Sequence, residues 1–342
     1  MTGADIVISP AERDAVIEGL CAHLRTLYVF PDLADQIAAR LQQHQGDGAY
    51  DQIHTPTALC TVLTQEMQAV CHDKHLCLFY SAEALPPRTN AWDDPAWQAE
   101  YAQRMALYNH GFFKVERLAG NIGYIDLRSF LDPSFAGETA IAAMNLISHT
   151  SALIFDLRHN DGGAPAMIAL LASYLFDRQI HLITFYHRPD DSTRQSWTLP
   201  YVPGRRYPDK PVYVLTSGET VSGAEEFAYN LKHHRRATIV GEVTAGAAHP
   251  GGRYQVTPHF EVIIPTARAI SPITGTDWEG VGVLPDIAVP QQDALDIAYA
   301  EALKAVLGTM ADPAAAPLRH LRDEIRHVLD ERQARGRAAP HV

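Results

Sequence analysis

Hydrophobic positions along this chain keep two different periods. Between residues 10 and 82 they recur at helical spacing. Pro10-Ala11-Glu12-Arg13 opens an amphipathic run that carries Val16, Leu20, Leu24 and Leu27. A second helix is predicted over 34–43. A third starts at Thr55-Pro56 and carries Leu59, Leu63, Met67 and Val70, with Pro56 suited to an early helix position. No strand pattern interrupts this stretch, so residues 1–82 are expected to form a small helical domain. Residues 83–112 read as a connector, because Pro86-Pro87 and Asp93-Asp94-Pro95 are turn chemistry. A helix is predicted within it, over 97–108.

From residue 113 short apolar runs alternate with helical stretches. Strands are predicted over 122–127, 152–157, 211–216 and 237–241, and helices over 138–148, 165–176 and 222–233. That alternation implies a largely parallel sheet covered by helices, an α/β core placed at 113–310. Residues 253–290 are strand-rich without helices, which fits an antiparallel extension. A helix over 293–307 closes the core. A charged helix over 317–333 and a frayed tail make up 311–342.

Composition narrows the classes of partner. The chain has 342 residues, 46% hydrophobic and 20% charged, the profile of a soluble globular protein able to bury a large core. With 28 Lys and Arg against 40 Asp and Glu, the formal charge is −12. That sign argues against a nucleic-acid or anionic-membrane partner. The basic cluster His233-His234-Arg235-Arg236 falls at a predicted helix end, where cations complement the dipole. No apolar run is long enough to span a bilayer, and the first residues lack a signal-peptide pattern, so a cytoplasmic location is expected. Cys21, Cys60, Cys71 and Cys77 lack zinc-finger spacing and are expected to be buried free thiols.

Four segments could carry chemistry. In 211–232 a buried strand runs through a loop into a helix, with Ser222 at the helix start and Gly223 behind it. A hydroxyl there meets the positive end of the helix dipole, and the Gly223 N–H could donate to an oxyanion. The same residues, Ser222-Gly223-Ala224-Glu225, also spell a capping box. They are not a Gly-x-Ser-x-Gly elbow. In 156–163 a strand ends in Asp156-Leu157-Arg158, and Gly162-Gly163 precede a helix. Paired glycines can take positive φ and expose N–H groups, although an ordinary turn has the same pattern. His75, in His72-Asp73-Lys74-His75, is a candidate general base. A metal reading of His72, Asp73 and His75 finds no helix-borne ligand set in support, and no metal or cofactor is expected. Glu279, in Trp278-Glu279-Gly280, could orient a histidine, or be a solvated loop carboxylate.

The order of these segments resembles the C-terminal processing (tail-specific) peptidase family, in the branch shared with interphotoreceptor retinoid-binding protein and the tricorn core. Tyr28-Val29-Phe30-Pro31, the Asp-x-His of 73–75, and the motifs of 120–128, 156–163, 216–226, 241–246 and 278–286 carry it. The resemblance implies a Clp-protease/crotonase-like spiral ββα core with a small N-terminal helical domain. It assigns Ser222 as nucleophile, His75 as base, Glu279 as the acid holding that base, and Gly223 with Gly163 or Gly162 as oxyanion donors. Gly246 and His249 are expected near the substrate. The lysine base of the processing branch has no counterpart, because Ala247 stands there, so the histidine must carry the chemistry. No peptide-docking PDZ segment is read between 83 and 120. Peptide or protein substrates are implied, and a homo-oligomer is compatible. The rival functions are a binding module for a hydrophobic small molecule and a hydrolase or acyltransferase acting on a small ester or amide.

Overall fold

The computed structural model describes residues 7–86, 94–310 and 316–338. The turn residues Pro87 and Asp93 and the end of the tail lie outside them. The chain divides into two compact units, one built from 1–103, 184–195 and 247–270, the other from 104–183, 196–246 and 271–342.

The first unit opens with α1 (Pro10–Leu27), α2 (Pro31–Gly46) and α3 (Pro56–Cys71). Each begins with proline, whose fixed φ and missing N–H suit the first turn. Ser9 and Thr55 cap α1 and α3 in the ordinary way, accepting from Glu12 N at 3.2 Å and Ala58 N at 3.3 Å. The apolar stripes predicted for these helices form one core with Phe260, Val262 and Ile264.

That core includes a strand the sequence reading does not contain. β1 (Cys77–Tyr80) pairs antiparallel with β10 (Phe260–Pro265), which pairs with β9 (Gly251–Thr257). A strand of four residues shows too little alternation to be read, and its partner, Ile263 opposite Cys77, is remote in sequence. A second small sheet has the order β11 (Ala267–Ile270), β5 (His181–His187), β6 (Ser192–Trp197). The helix read over 97–108 is α4 (Pro95–Ala106).

The second unit holds a six-stranded sheet in the order β12-β8-β7-β4-β3-β2. Its strands are β2 (Phe112–Leu118), β3 (Ile122–Leu127), β4 (Ala152–Asp156), β7 (Val212–Thr216), β8 (Thr238–Gly241) and β12 (Ile287–Ala288). Every pairing is parallel except β2 with β3. β3, β4 and β7 are buried along their whole length, as expected of parallel strands covered on both faces. On one face Tyr124, Ile154 and Leu215 pack on Ala298, Ala302 and Leu303 of α8 (Gln291–Thr309) and Ile325 of α9 (Ala316–Ala338).

The other helices are α5 (Pro133–Ile147), α6 (Pro165–Leu175) and α7 (Gly223–His233). Phe227 of α7 meets Phe155 of β4 edge to face at 5.1 Å. α5 starts five residues before the predicted 138, because Asp132 caps it through Ser134 N at 2.8 Å. The molecule is therefore α/β with a helical N-terminal region. Its parallel strands β4 and β7 both end at the loops that carry the candidate chemistry, where sites in such sheets form.

Candidate active site

The loop after β7 is fastened to the loop after β4. Thr220 Oγ1 donates to Leu157 O at 2.8 Å, Val221 N to Asn160 O at 3.2 Å, and Ser217 Oγ to Arg158 O. Arg158 grips Asp156 with two nitrogens, at 2.9 and 2.6 Å, and so fixes the end of β4. Asn160 is fully buried. Its amide donates to Leu127 O at 2.8 Å, and its carbonyl accepts from Gly162 N at 2.8 Å. This asparagine is a residue the sequence reading passed over. The Asn-x-Gly-Gly spacing that surrounds it is the signal.

The backbone at Ser222 is the most unusual feature of the site. Its φ is 56° and ψ −120°, a conformation that L side chains rarely adopt. An N-cap serves its helix from the extended region. A strained seryl turn between a buried strand and a helix is instead how a hydrolase exposes its nucleophile. Glu225 supports the turn. Its Oε2 accepts from Ser222 N at 2.8 Å, and its Oε1 from Thr244 Oγ1 at 2.5 Å and Gly246 N at 2.6 Å. The capping box predicted from the sequence is thus present, on a backbone that a cap does not need.

Gly162 and Gly163 have φ of 90° and 133°. A Cβ on Gly162 would stand 2.8 Å from Ser222 Cβ and 2.9 Å from Gly223 N. A Cβ on Gly223 would stand 2.9 Å from Gly163 N. The three glycines and the serine therefore pack with no room for a side chain, and the amides of Gly163 and Gly223 lie together beside Ser222. The first N–H groups of a helix lack intrahelical acceptors, so Gly223 N–H is a ready donor.

Glu279 is half-buried in a loop whose turn closes through Gly282 N to Trp278 O at 2.9 Å. Asp277 Oδ1 accepts from Glu279 N at 2.8 Å. Trp278 anchors this loop on Tyr229 of α7, with ring centroids 5.2 Å apart. Gly246 joins the same framework, since its N–H goes to Glu225 and its carbonyl accepts from Gly280 N at 3.0 Å.

In the first unit, His75 lies in the tight turn between α3 and β1. Its backbone N–H donates to Asp73 Oδ1 at 3.1 Å. Its ring Nδ1 is buried, stands 4.0 Å from Asp73 Oδ1, and has no hydrogen-bond partner among the described residues. Burial pushes the His75 pKa below the usual imidazole value. Asp73 works against that shift and His249 with it. His249, expected near substrate, is buried with Nδ1 2.9 Å from Asp73 Oδ2. His72 is exposed at the left-handed cap of α3.

A strained serine thus lies beside two glycine amides at the ends of parallel strands, an arrangement of the kind serine hydrolases use. The family model for peptidase family S41 matches residues 121–289, and the model for the N-terminal domain of peptidase S41 in eukaryotic IRBP matches residues 4–109. The chain belongs to peptidase family S41. It is 29% identical over 179 residues to a carboxy-terminal-processing protease of Bartonella bacilliformis, covering 51% of this chain and 40% of that one. It is 27% identical over 202 residues to the chloroplastic carboxyl-terminal-processing peptidase 2 of Arabidopsis thaliana, covering 57% and 36%. The chain thus spans less than half the length of these curated relatives. The fold is shared with the photosystem II D1 C-terminal processing protease, with TM-score 0.50 at 16% identity over 90% of this chain and 99% of that one. It is shared likewise with the tricorn protease, with TM-score 0.55 at 13% identity over 87% and 37%.

Proposed function

We propose that the chain is a serine peptidase that hydrolyses peptide bonds through a covalent acyl-enzyme. The observation that carries the reading is the positive φ of Ser222 beside the amides of Gly163 and Gly223. In the mechanism His75 takes the hydroxyl proton of Ser222 as the oxygen attacks the peptide carbonyl. The Gly223 and Gly163 N–H groups hold the developing oxyanion. His75 then gives its proton to the leaving amine, and water, deprotonated by His75, releases the acid and restores Ser222. Glu279 is assigned to orient His75. The buried Nδ1 of that ring, without a hydrogen-bond partner among the described residues, needs an acceptor of this kind.

The base must be neutral to act. A His75 pKa below the usual value places the acid limb of kcat/KM below about pH 6.5, with activity rising as pH climbs through that limb.

The test is reaction with a fluorophosphonate, mapped by mass spectrometry, together with hydrolysis of quenched peptide substrates. The adduct is expected on Ser222. Ser222→Ala is expected to abolish it and to cut turnover on the order of 10⁶-fold, with His75→Ala close behind. Wild-type turnover by Ser222→Ala would end this reading. Labelling of Ser222 with hydrolysis of an ester but of no peptide would move the substrate class to esters.

A further inference from the structure

We propose that Asp73 is a positioning residue for the general base, held to that task by His249. The inference rests on the reading of His75 as the base. The juxtaposition lies wholly within the first unit, where the turn after α3 meets the segment leading into β9.

Asp73 is 1% exposed and His249 5%. A carboxylate so deeply buried is costly unless its oxygens are satisfied. Oδ1 accepts from the His75 backbone N–H at 3.1 Å. Oδ2 accepts from the Tyr28 hydroxyl at 3.3 Å and faces His249 Nδ1 at 2.9 Å. One oxygen thus shapes the turn that carries the base, while the other is clamped from two sides. Tyr28 is itself fully buried, and Phe30 meets the His249 ring edge to face at 5.1 Å. Displacing His249 would release the carboxylate, and the carboxylate holds the His75 main chain.

The arrangement also acts through charge. Asp73 favours the protonated imidazole of His75, and His249 opposes it. The other titratable groups around Asp73 are Tyr28, Cys71 and Cys77. All three are held above their ordinary values, first by burial, and stay uncharged in the neutral range. Glu279 is the further charge that the mechanism assigns to His75. Removing Asp73 or His249 should therefore move the base in opposite directions, which a general loss of packing cannot do.

The experiment follows the rate constant for fluorophosphonate labelling of Ser222 against pH in the full chain. Asp73→Asn is expected to lower the plateau on the order of 10²-fold through misplacement of the base and to move the midpoint to lower pH. His249→Gln, which leaves a donor for Asp73, is expected to move the midpoint to higher pH with a smaller loss of plateau. Midpoints that stay at the wild-type pH in both variants, or that move the same way, overturn the inference, even if melting temperatures fall. Should Asp73→Asn fail to fold, the direction of the His249→Gln midpoint decides alone. Absence of Ser222 labelling in wild type at every pH would instead remove the underlying reading of Ser222 and His75.

Discussion

The starts of α3 and α7 look alike in sequence and differ in the fold. Each has a hydroxyl residue ahead of a helix. Thr55 has φ −117° and ψ 142°, and its side chain accepts from Ala58 N. Ser222 has φ 56° and ψ −120°. The bodies of the helices differ in the same sense. α3 buries Pro56, Leu59, Cys60, Leu63 and Met67, whereas α7 buries Glu225, Glu226 and Asn230 beside its apolar residues. A helix that only holds a core takes the cheap backbone and the apolar stripe. Strain and buried polar groups persist where the surrounding structure imposes them, and they gather at functional sites.

The sharpest way to break the comparison is at Gly223. Its Cβ would stand 2.9 Å from both the N and the O of Gly163. Gly223→Ala must therefore open the space between the two amides. Turnover is expected to fall 10²–10³-fold, the cost of about one oxyanion donor. Fluorophosphonate labelling should slow in parallel, while far-ultraviolet circular dichroism stays as in wild type. Unchanged turnover would return Gly223 to the role of an ordinary first residue of a helix.

Glu226 offers a test with a smaller effect. It is buried in α7, and its Oε1 has no hydrogen-bond partner among the described residues. Burial raises its pKa from 4.5 to about 8. The unfolded chain gives up this proton near pH 4.5, while the folded chain keeps it to about pH 8. Stability is therefore fully present below pH 4.5 and declines as pH rises toward about 8, with a slope of at most about 1.4 kcal/mol per pH unit. Glu226→Gln should flatten that decline. Melting temperatures of the two proteins between pH 5 and 9 read it directly, and equal slopes would mean that the carboxyl finds water or a partner on ionising.

What the sequence made legible follows from the range of each interaction. The strand read over 122–127 is β3, residue for residue, and the start of α3 at Thr55-Pro56 is correct, because periodicity and caps are local. The resemblance likewise singled out Ser222 and Gly162, Gly163 and Gly223, which the fold packs against one another, since motif spacing survives in one dimension. Three things were hidden. β1 depends on a remote partner strand. Asp73, weighed in the sequence as a metal ligand, accepts from the His75 main chain and faces His249, a partner far along the chain. The positive φ of Ser222 has no sequence signature, because the same four residues spell a capping box.

That ambiguity supplies the last and smallest test, made on the two helix starts themselves. At Thr55 the side chain stabilises the helix, so Thr55→Ala should cost about 1 kcal/mol and Thr55→Gly only roughly a few tenths. At Ser222 the positive φ costs roughly 1–3 kcal/mol in strain, which glycine relieves because it has no Cβ. Ser222→Gly should therefore raise stability by about 1 kcal/mol while removing activity. Urea unfolding midpoints with unchanged m-values would measure both. Destabilisation of similar size at the two positions would make Ser222 a cap after all and its φ incidental. Opposite signs would mean that the second helix start gives up stability to present its hydroxyl, as a nucleophile does and a cap has no reason to do.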